Sequence, residues 1–235
     1  MKTTRAYRYY NAITAIFVTC LIVSNIVVVK LIQVGPFTLT AALLIFSLSY
    51  IFGDILTEVY GYARARQVIW IGFGCNLLAV IAFYTAGLLP PSLFWTQPGF
   101  ETPEAMQSAY NAILGSTPLI LFASFTAYLC GEFLNSFILA KMKIATNGRW
   151  LWARTVASTL VAQVADTGIF VGINVLGGLF SPEAALPIIM GEWLAKVLYE
   201  IIATPITYQI VNFLKRIENE DYYDRETNFN PLLID

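Results

Sequence analysis

The chain has 235 residues, of which 57% are hydrophobic and 12% are charged, and its formal net charge at pH 7 is −1. Soluble domains contain roughly 45–50% apolar and about 25% charged residues, so this composition excludes an ordinary water-soluble fold and predicts an integral membrane protein. Because the few basic residues lie in short clusters between apolar runs, we expect no nucleic-acid partner.

Apolar stretches long enough to cross a bilayer, which takes about 20 helical residues, account for most of the chain. We predict an all-α, polytopic membrane protein with six transmembrane helices, at residues 10–29, 37–60, 67–89, 117–140, 153–180 and 185–214. Residues 1–214 form the predicted transmembrane domain, and residues 215–235 a polar cytoplasmic C-terminal tail. The last two stretches are longer than a bilayer needs, so we expect a tilt, kink or break at Gly172, Gly177, Gly178 or Pro205.

Lysine and arginine residues indicate orientation, because cytoplasmic loops carry an excess of both. In the six-helix arrangement only Lys30 falls in a loop on one side, and the other side holds Lys2, Arg5, Arg8, Arg64, Arg66, Lys141, Lys143, Arg149, Lys215, Arg216 and Arg225. We therefore expect a bacterial inner (plasma) membrane protein with both termini in the cytoplasm. In the longest outer loop, the helix-start signal Thr102-Pro103-Glu104 predicts a short surface helix.

Three spans in each half imply that the two halves enter the membrane from opposite sides. Many secondary transporters have this arrangement, built from inverted repeats. We therefore consider two inverted three-helix repeats.

Charged residues inside the spans are the first candidates for function, since each costs at least ~2.5–3.5 kcal/mol near the bilayer centre and must face a bundle interior or cavity. They are Asp54, Glu132, Asp166, Glu192, Lys196 and Glu200. At about 1.5 Å per residue, Asp166 and Lys196 both lie close to the midplane, so we predict an ion pair between them. This pair either only joins the fifth and sixth helices or is completed by a substrate.

Spacing assigns several of these residues to common helix faces. Glu192, Lys196 and Glu200 recur every four residues, which places them on one face of a helix. They form either an internal salt-bridge ladder or part of a binding site. Arg154, Ser158 and Asp166 form a stripe that we expect to face the bundle centre. We also regard Asp54 as a candidate functional residue.

Glu58 is interpreted differently, as one member of an interfacial charge cluster with Arg64 and Arg66. We expect its side chain to reach water at the membrane surface, and its role to be structural.

Buried amides and aromatic rings complete the candidate site. Asn25, Asn76, Asn135 and Gln163 either join helices by hydrogen bonds or converge on a site, and some phenylalanines or tyrosines could stack on a planar ligand. The predicted substrate-binding residues are Asn25, Asp54, Glu132, Gln163, Asp166, Glu192 and Lys196.

Enzymatic and metal chemistry are not expected. The chain has no histidine, and Cys20, Cys75 and Cys130 lack CxxC spacing. A paired nucleophile and base and a cofactor motif are equally missing, so we predict no metal, no cofactor and no enzymatic activity.

Motifs along nearly the whole chain resemble the putative vitamin uptake transporter family, known more specifically as the queuosine precursor transporters. The matching segments are Ser24-Asn25, residues 50–61 with Arg66, Arg154-x3-Ser158-Thr159 with Asp166-Thr167, Lys196, and a tail of Asp221-Tyr-Tyr-Asp224 with Asn228-Phe-Asn-Pro231. This resemblance implies six helices and uptake of 7-cyano-7-deazaguanine or 7-aminomethyl-7-deazaguanine. The implied partner is a small purine-like molecule, in addition to the lipid bilayer that the composition predicts. The sequence leaves the oligomeric state open, and because small carriers often dimerise, a homodimer is one candidate.

A guanine-like edge offers adjacent N–H donors, which a carboxylate accepts in pairs. We hypothesise that Asp166, Glu132 or Asp54 binds this edge while Lys196 or Asn25 holds the carbonyl side. The alternative function is a substrate-binding subunit of a multi-component importer for a small planar metabolite. Since this chain has no GxxxxGK[ST] loop, that importer would need an ATPase partner. The sequence leaves open whether transport is proton-coupled or passive.

Overall fold

The computed structural model describes residues 7–34, 37–115 and 118–233. The elements in these ranges are α1 (Tyr10–Val27), β1 (Leu31–Val34), β2 (Phe37–Thr40), α2 (Ala42–Tyr60), α3 (Tyr62–Gly87), α4 (Pro103–Leu114), α5 (Pro118–Ala145), α6 (Leu151–Leu176) and α7 (Pro182–Glu218). The predicted residues Lys2, Arg5 and Thr117, and the outer limits Met1 and Asp235 of the two predicted segments, lie outside the described residues.

Within the described residues, α1, α2, α3, α6 and the stretch that contains α5 are long and apolar enough to cross a membrane. Helix α7 is longer still, with 37 residues, but it carries Glu192, Lys196 and Glu200 within a short stretch. Helix α4 is the predicted surface helix, and the Thr102 side chain caps it by accepting a hydrogen bond from the Ala105 amide at 3.2 Å. The chain is thus an all-α, polytopic membrane protein.

A short hairpin corrects the start of the second predicted span. Residues 37–40 were expected to begin a helix, but β1 and β2 pair antiparallel, with Val34 opposite Phe37 and Leu31 opposite Thr40. The Ala41 amide closes the hairpin by donating to the Lys30 carbonyl at 2.8 Å, and α2 begins at the next residue. Apolar content alone did not distinguish a strand from the end of a helix.

The last two spans also differ from the prediction. Helix α6 ends at Leu176, because Gly177 caps it and Gly178 adopts a φ of +76°, which favours glycine. The predicted break at these glycines is therefore a helix end. Helix α7 is continuous from Pro182 to Glu218 with Pro205 inside it, so of the expected tilt, kink or break, a break is absent from this part of the chain.

The first and last described residues and the basic loops gather at one end of the bundle, which we call the termini face. There the Tyr9 amide donates to Glu218 at 2.7 Å, and the Tyr62 amide donates to Asp224 at 3.0 Å. The opposite end, the hairpin face, carries the β1–β2 hairpin, α4 and the connection between α6 and α7.

Helix α2 occupies the centre of the bundle. Its residues from Tyr50 to Tyr60 are almost all buried, whereas other helices expose large apolar side chains such as Leu78, Phe122 and Ile202. Apolar side chains around the circumference and polar ones inside are what a lipid environment requires.

Candidate functional site

A cavity of about 550 Å³ lies in the half of the bundle nearest the hairpin face. It is enclosed by the hairpin and by parts of α1, α2, α5, α6 and α7. Its described lining includes polar residues and aromatic rings, among them Ser24, Asn25, Thr40, Phe46, Ser124, Asp166, Thr167, Phe170, Phe180, Glu192 and Lys196. Pockets of 300–1,000 Å³ with mostly apolar walls and a few placed polar groups typically bind small molecules.

The most polar part of the lining is the ion pair between α6 and α7. Lys196 Nζ donates to Asp166 Oδ2 at 3.0 Å and to Thr167 Oγ1 at 3.4 Å. It also lies 4.9 Å from the centre of the Phe46 ring. The predicted Asp166–Lys196 pair is therefore confirmed, and it borders the cavity. The side chains are only 7% and 10% exposed, so lipid headgroups and bulk water do little to screen the charges.

Two other predicted residues line the same cavity. Glu192 accepts hydrogen bonds from the Thr40 amide at 3.3 Å and hydroxyl at 3.4 Å, which joins α7 to the hairpin. Asn25 donates to Asn76 Oδ1 at 2.8 Å, so α1 and α3 hold its amide in place. The predicted ladder is not observed, because within the described chain Lys196 pairs with α6 and forms no ion pair with Glu192 or Glu200.

Sequence reasoning missed Thr40 and the three phenylalanines of the lining. Phe46 contacts Lys196, and Phe170 and Phe180 form an edge-to-face pair with ring centres 6.3 Å apart. The chain has 16 phenylalanines, and nothing in their spacing separates these three from lipid-facing or packing rings. The hairpin that brings Thr40 to the cavity was itself not predicted.

The remaining predicted residues lie outside the cavity lining. Asp54 is buried below it and accepts a hydrogen bond from Asn135 Nδ2 at 2.6 Å. Glu132 and Gln163 are also buried, and none of the described residues donates a hydrogen bond to the Glu132 carboxylate or to Gln163 Oε1. The structure thus brings Asn25, Asp166, Glu192 and Lys196 together and leaves these three deeper in the bundle.

A second set of charges closes the bundle at the termini face. Glu58 forms a bidentate ion pair with Arg154, accepts from Lys215 Nζ at 2.7 Å, and lies 3.6 Å from Lys143 Nζ. The side chains of Glu58 and Arg154 are 1% exposed. The prediction that Glu58 reaches water is therefore wrong, because its partners come from α5, α6 and α7.

The C-terminal tail completes this set, which we call the Glu58 cluster. Asp221 accepts from Lys143 Nζ at 2.6 Å and pairs with Lys215 at 2.8 Å. Burial raises the pKa of Asp221, but the hydrogen bonds from the two lysines lower it by more, so its pKa lies below the usual value. The ionised Asp221 carboxylate therefore attaches the tail to Lys143 and Lys215.

The Arg154 stripe is buried as expected: Arg154, Ser158 and Asp166 all lie inside the bundle. It links the two charged regions, since Arg154 belongs to the Glu58 cluster and Asp166 to the cavity. Among the described residues no group of three or more histidine, cysteine or carboxylate side chains could hold a metal ion.

Buried charges, a polar cavity and an apolar circumference together define a membrane protein that handles a small polar molecule within the bilayer. The chain belongs to the putative vitamin uptake transporter family, whose family model matches residues 40–210. It is therefore a membrane transport protein.

One relative sharpens the comparison. Over 186 residues the chain is 29% identical to a protein of Bacillus subtilis (strain 168) named "Probable queuosine precursor transporter", which covers 79% of this chain and 77% of the relative. No solved structure matches the chain.

Proposed function

We propose that this protein imports a queuosine precursor, 7-cyano-7-deazaguanine or 7-aminomethyl-7-deazaguanine, across a bacterial inner membrane. The observation that carries the proposal is the Asp166–Lys196 pair at the wall of a cavity large enough for a bicyclic base. The name of the Bacillus subtilis relative supports the substrate class.

The ion pair offers complementary groups to a guanine-like edge. A carboxylate has about four acceptor positions, so Asp166 can keep Lys196 and still accept from a ligand N–H pair. Lys196 has three N–H donors. One is directed at Asp166 Oδ2 and one at Thr167 Oγ1, so the third can donate to a ligand carbonyl. A base that satisfies both groups gains charge-assisted hydrogen bonds in a site of low dielectric.

The remaining lining suits a planar ring. Phe46 of α2 and Phe170 of α6 line the cavity with apolar ring surfaces, and offset stacking on such rings contributes about 0.5–1.5 kcal/mol beyond area burial. Asn25 and Glu192 add hydrogen-bonding groups at the cavity wall.

For the membrane arrangement we propose six crossings, by α1, α2, α3, α5, α6 and α7, with the termini face in the cytoplasm. Residues near both chain ends meet at the termini face, as an even number of crossings requires, and the loop lysines and arginines are concentrated there. The cavity then faces the outside, in the direction of uptake. Two groups of three crossing helices also permit the inverted-repeat arrangement.

The test uses vesicles that contain only the purified protein, with labelled 7-cyano-7-deazaguanine as substrate and guanine as competitor. We expect saturable binding and uptake, both reduced at least tenfold in Lys196→Ala, because this change leaves Asp166 buried without its cation. Lys30→Ala is the matched control, since Lys30 is exposed and outside the cavity lining.

Each contrary result has a definite meaning. Binding without uptake would indicate a substrate-binding subunit that needs an ATPase partner. Equal binding by wild type and Lys196→Ala would remove the ion pair from the site, and no binding by either protein would reject the substrate.

A further inference from the structure

We propose that Glu132 is a proton-binding site that couples transport to a proton gradient. This inference rests on the proposed function for its substrate, but the evidence for the proton site is separate. Glu132 lies near the middle of α5, is not exposed at all, and receives no hydrogen bond from the described residues on either carboxylate oxygen.

The packing around this carboxyl group is close. A Cβ atom added to Gly53 of α2 would lie 3.0 Å from Glu132 Oε2, so the carboxyl group packs against the α2 backbone. A Cβ on Gly131, the residue before Glu132, would lie 2.5 Å from the Tyr50 hydroxyl and 2.9 Å from Asp166 Cβ. The residue next to Glu132 thus packs against the cavity residue Asp166, and the two carboxyl groups interact electrostatically.

The ionisable groups around Glu132 supply no positive charge. Tyr50 and Asp54 approach from α2, Tyr128 lies on α5 itself and Asp166 faces it from α6. Glu200 of α7 faces Asp54. The Tyr128 hydroxyl donates a hydrogen bond to the Ile69 carbonyl of α3 at 3.0 Å. From α1, the apolar residue Phe17 packs at the same Gly53 position, 3.7 Å from the added Cβ.

The cations of the bundle are occupied elsewhere. Lys196 pairs with Asp166, whereas Arg154 and Lys143 belong to the Glu58 cluster. The buried Arg66 donates to carbonyls of the C-terminal tail. An ionised carboxylate at this depth, with neither a cation nor a donor, is very costly, whereas the neutral acid is tolerated. Glu132 therefore carries a proton in the state described here.

Loss of that proton acts directly on the substrate site. Two interacting carboxylates, Glu132 and Asp166, are then both charged, and only Asp166 is paired with a cation, Lys196. Since one ammonium group cannot fully neutralise both, ionisation of Glu132 weakens the charge balance that a bound base requires. Proton binding and base binding thus favour each other, and by linkage the effect is reciprocal. One proton binds to a carboxylate oxygen and leaves from it, and no bond of the substrate changes.

The first measurement needs no substrate. Infrared spectra of the purified protein at neutral pH are compared for wild type, Glu132→Gln and the matched control Glu104→Gln, whose residue is exposed on α4. We expect a protonated-carboxyl band in wild type and in the control that is missing in Glu132→Gln. Identical spectra for wild type and Glu132→Gln would overturn the proton site.

The second measurement uses vesicles and labelled 7-cyano-7-deazaguanine. With acid outside, we expect wild type and Glu104→Gln to accumulate label several-fold above equilibrium. Glu132→Gln should exchange label at close to the wild-type rate when the pH is equal on both sides, which also shows that it is folded, yet fail to accumulate it. Accumulation by Glu132→Gln, or wild-type uptake that ignores the gradient, would overturn coupling through Glu132.

The two measurements distinguish the two proposals. If wild type neither binds nor exchanges the base, the proposed substrate is rejected, and coupling to that substrate with it. The infrared comparison still decides whether Glu132 holds a proton, because it does not depend on the transported molecule.

Discussion

Glu58 is the residue on which the termini face depends most. It accepts from Arg154 and Lys215 and lies close to Lys143, so one carboxylate neutralises cations from three helices. Removing one partner of a buried ion pair costs about 3–5 kcal/mol, because the other charge stays buried without compensation.

We therefore expect Glu58→Gln to lower the stability of the protein by at least about 3 kcal/mol. Thermal unfolding of the purified protein in detergent measures the effect, with exposed Glu226→Gln as the control. Adding Arg154→Gln to Glu58→Gln should cost less than the two single changes summed, since the pair is already broken. Strict additivity would contradict the ion-pair account.

Gly61 provides a second test at the level of one residue. Its φ is +87°, and a Cβ there would collide with the Tyr222 ring of the C-terminal tail. Gly99 has nearly the same φ, +86°, but nothing lies within 4 Å of its Cβ position. Gly61→Ala should therefore destabilise the protein by more than Gly99→Ala, which carries only the backbone strain of about 1 kcal/mol. Equal shifts in thermal unfolding would show that the tail does not press on Gly61.

At the level of elements, the C-terminal tail acts as a strap across the turn between α2 and α3. The Tyr222 amide donates to the Val59 carbonyl at 3.3 Å, and Arg66 donates to the carbonyls of Asn228 and Asn230 at 2.8 and 2.9 Å. Trp70 Nε1 donates to the Pro231 carbonyl at 2.8 Å. The tail is thus attached through its backbone along most of its length.

Acidification should release this tail through Asp221. The folded pKa of Asp221 is lowered, so its contribution to stability is present above the ordinary pKa of about 3.9 and is lost as the pH falls through the lowered value. Burial raises the pKa of Asp224, so its contribution has the opposite sign: it is present below the ordinary pKa and is lost as the pH rises through the raised value.

We expect the Tyr222 amide to stay protected from hydrogen exchange down to about pH 4 and to lose protection below it. Asp221→Asn should bind the tail more weakly at neutral pH but remove the acid-dependent loss. Release of the tail at pH 5 to 6 in wild type would contradict the assignment to Asp221.

Sequence reasoning was most reliable for features set by spacing along one helix or by depth in the membrane. The α4 cap at Thr102, the Arg154 stripe and the Asp166–Lys196 pair follow from local spacing and depth, and the structure contains each of them. The hairpin was missed because a short apolar run does not specify strand or helix. The partners of Glu58 were missed because Lys143, Arg154 and Lys215 follow it by 85, 96 and 157 positions, and only the folded bundle brings them together.

At the scale of the whole molecule, the two ends of the bundle should lie on opposite sides of the membrane. Cysteines introduced at exposed Glu101, near the hairpin face, and exposed Glu226, in the tail, make a matched pair. In intact cells an impermeant maleimide should label Glu101→Cys at once and Glu226→Cys only after the membrane is opened. The background is a protein in which Cys20, Cys75 and Cys130 are replaced, and labelling of both sites from outside would refute the arrangement.

The Glu58 cluster also sets an order for biosynthesis. Glu58 enters the membrane with α2, but Lys215, its most distant partner, is made 157 residues later, which takes roughly 8–30 s at ribosomal rates of about 5–20 residues per second. Until Lys143 and Arg154 are made, 85 and 96 residues after Glu58, the second helix carries a carboxylate without any of these three partners. A ribosome stalled before α5 therefore leaves a half-made bundle whose central helix is exposed to membrane quality control, and assembly is complete only when the last helix arrives.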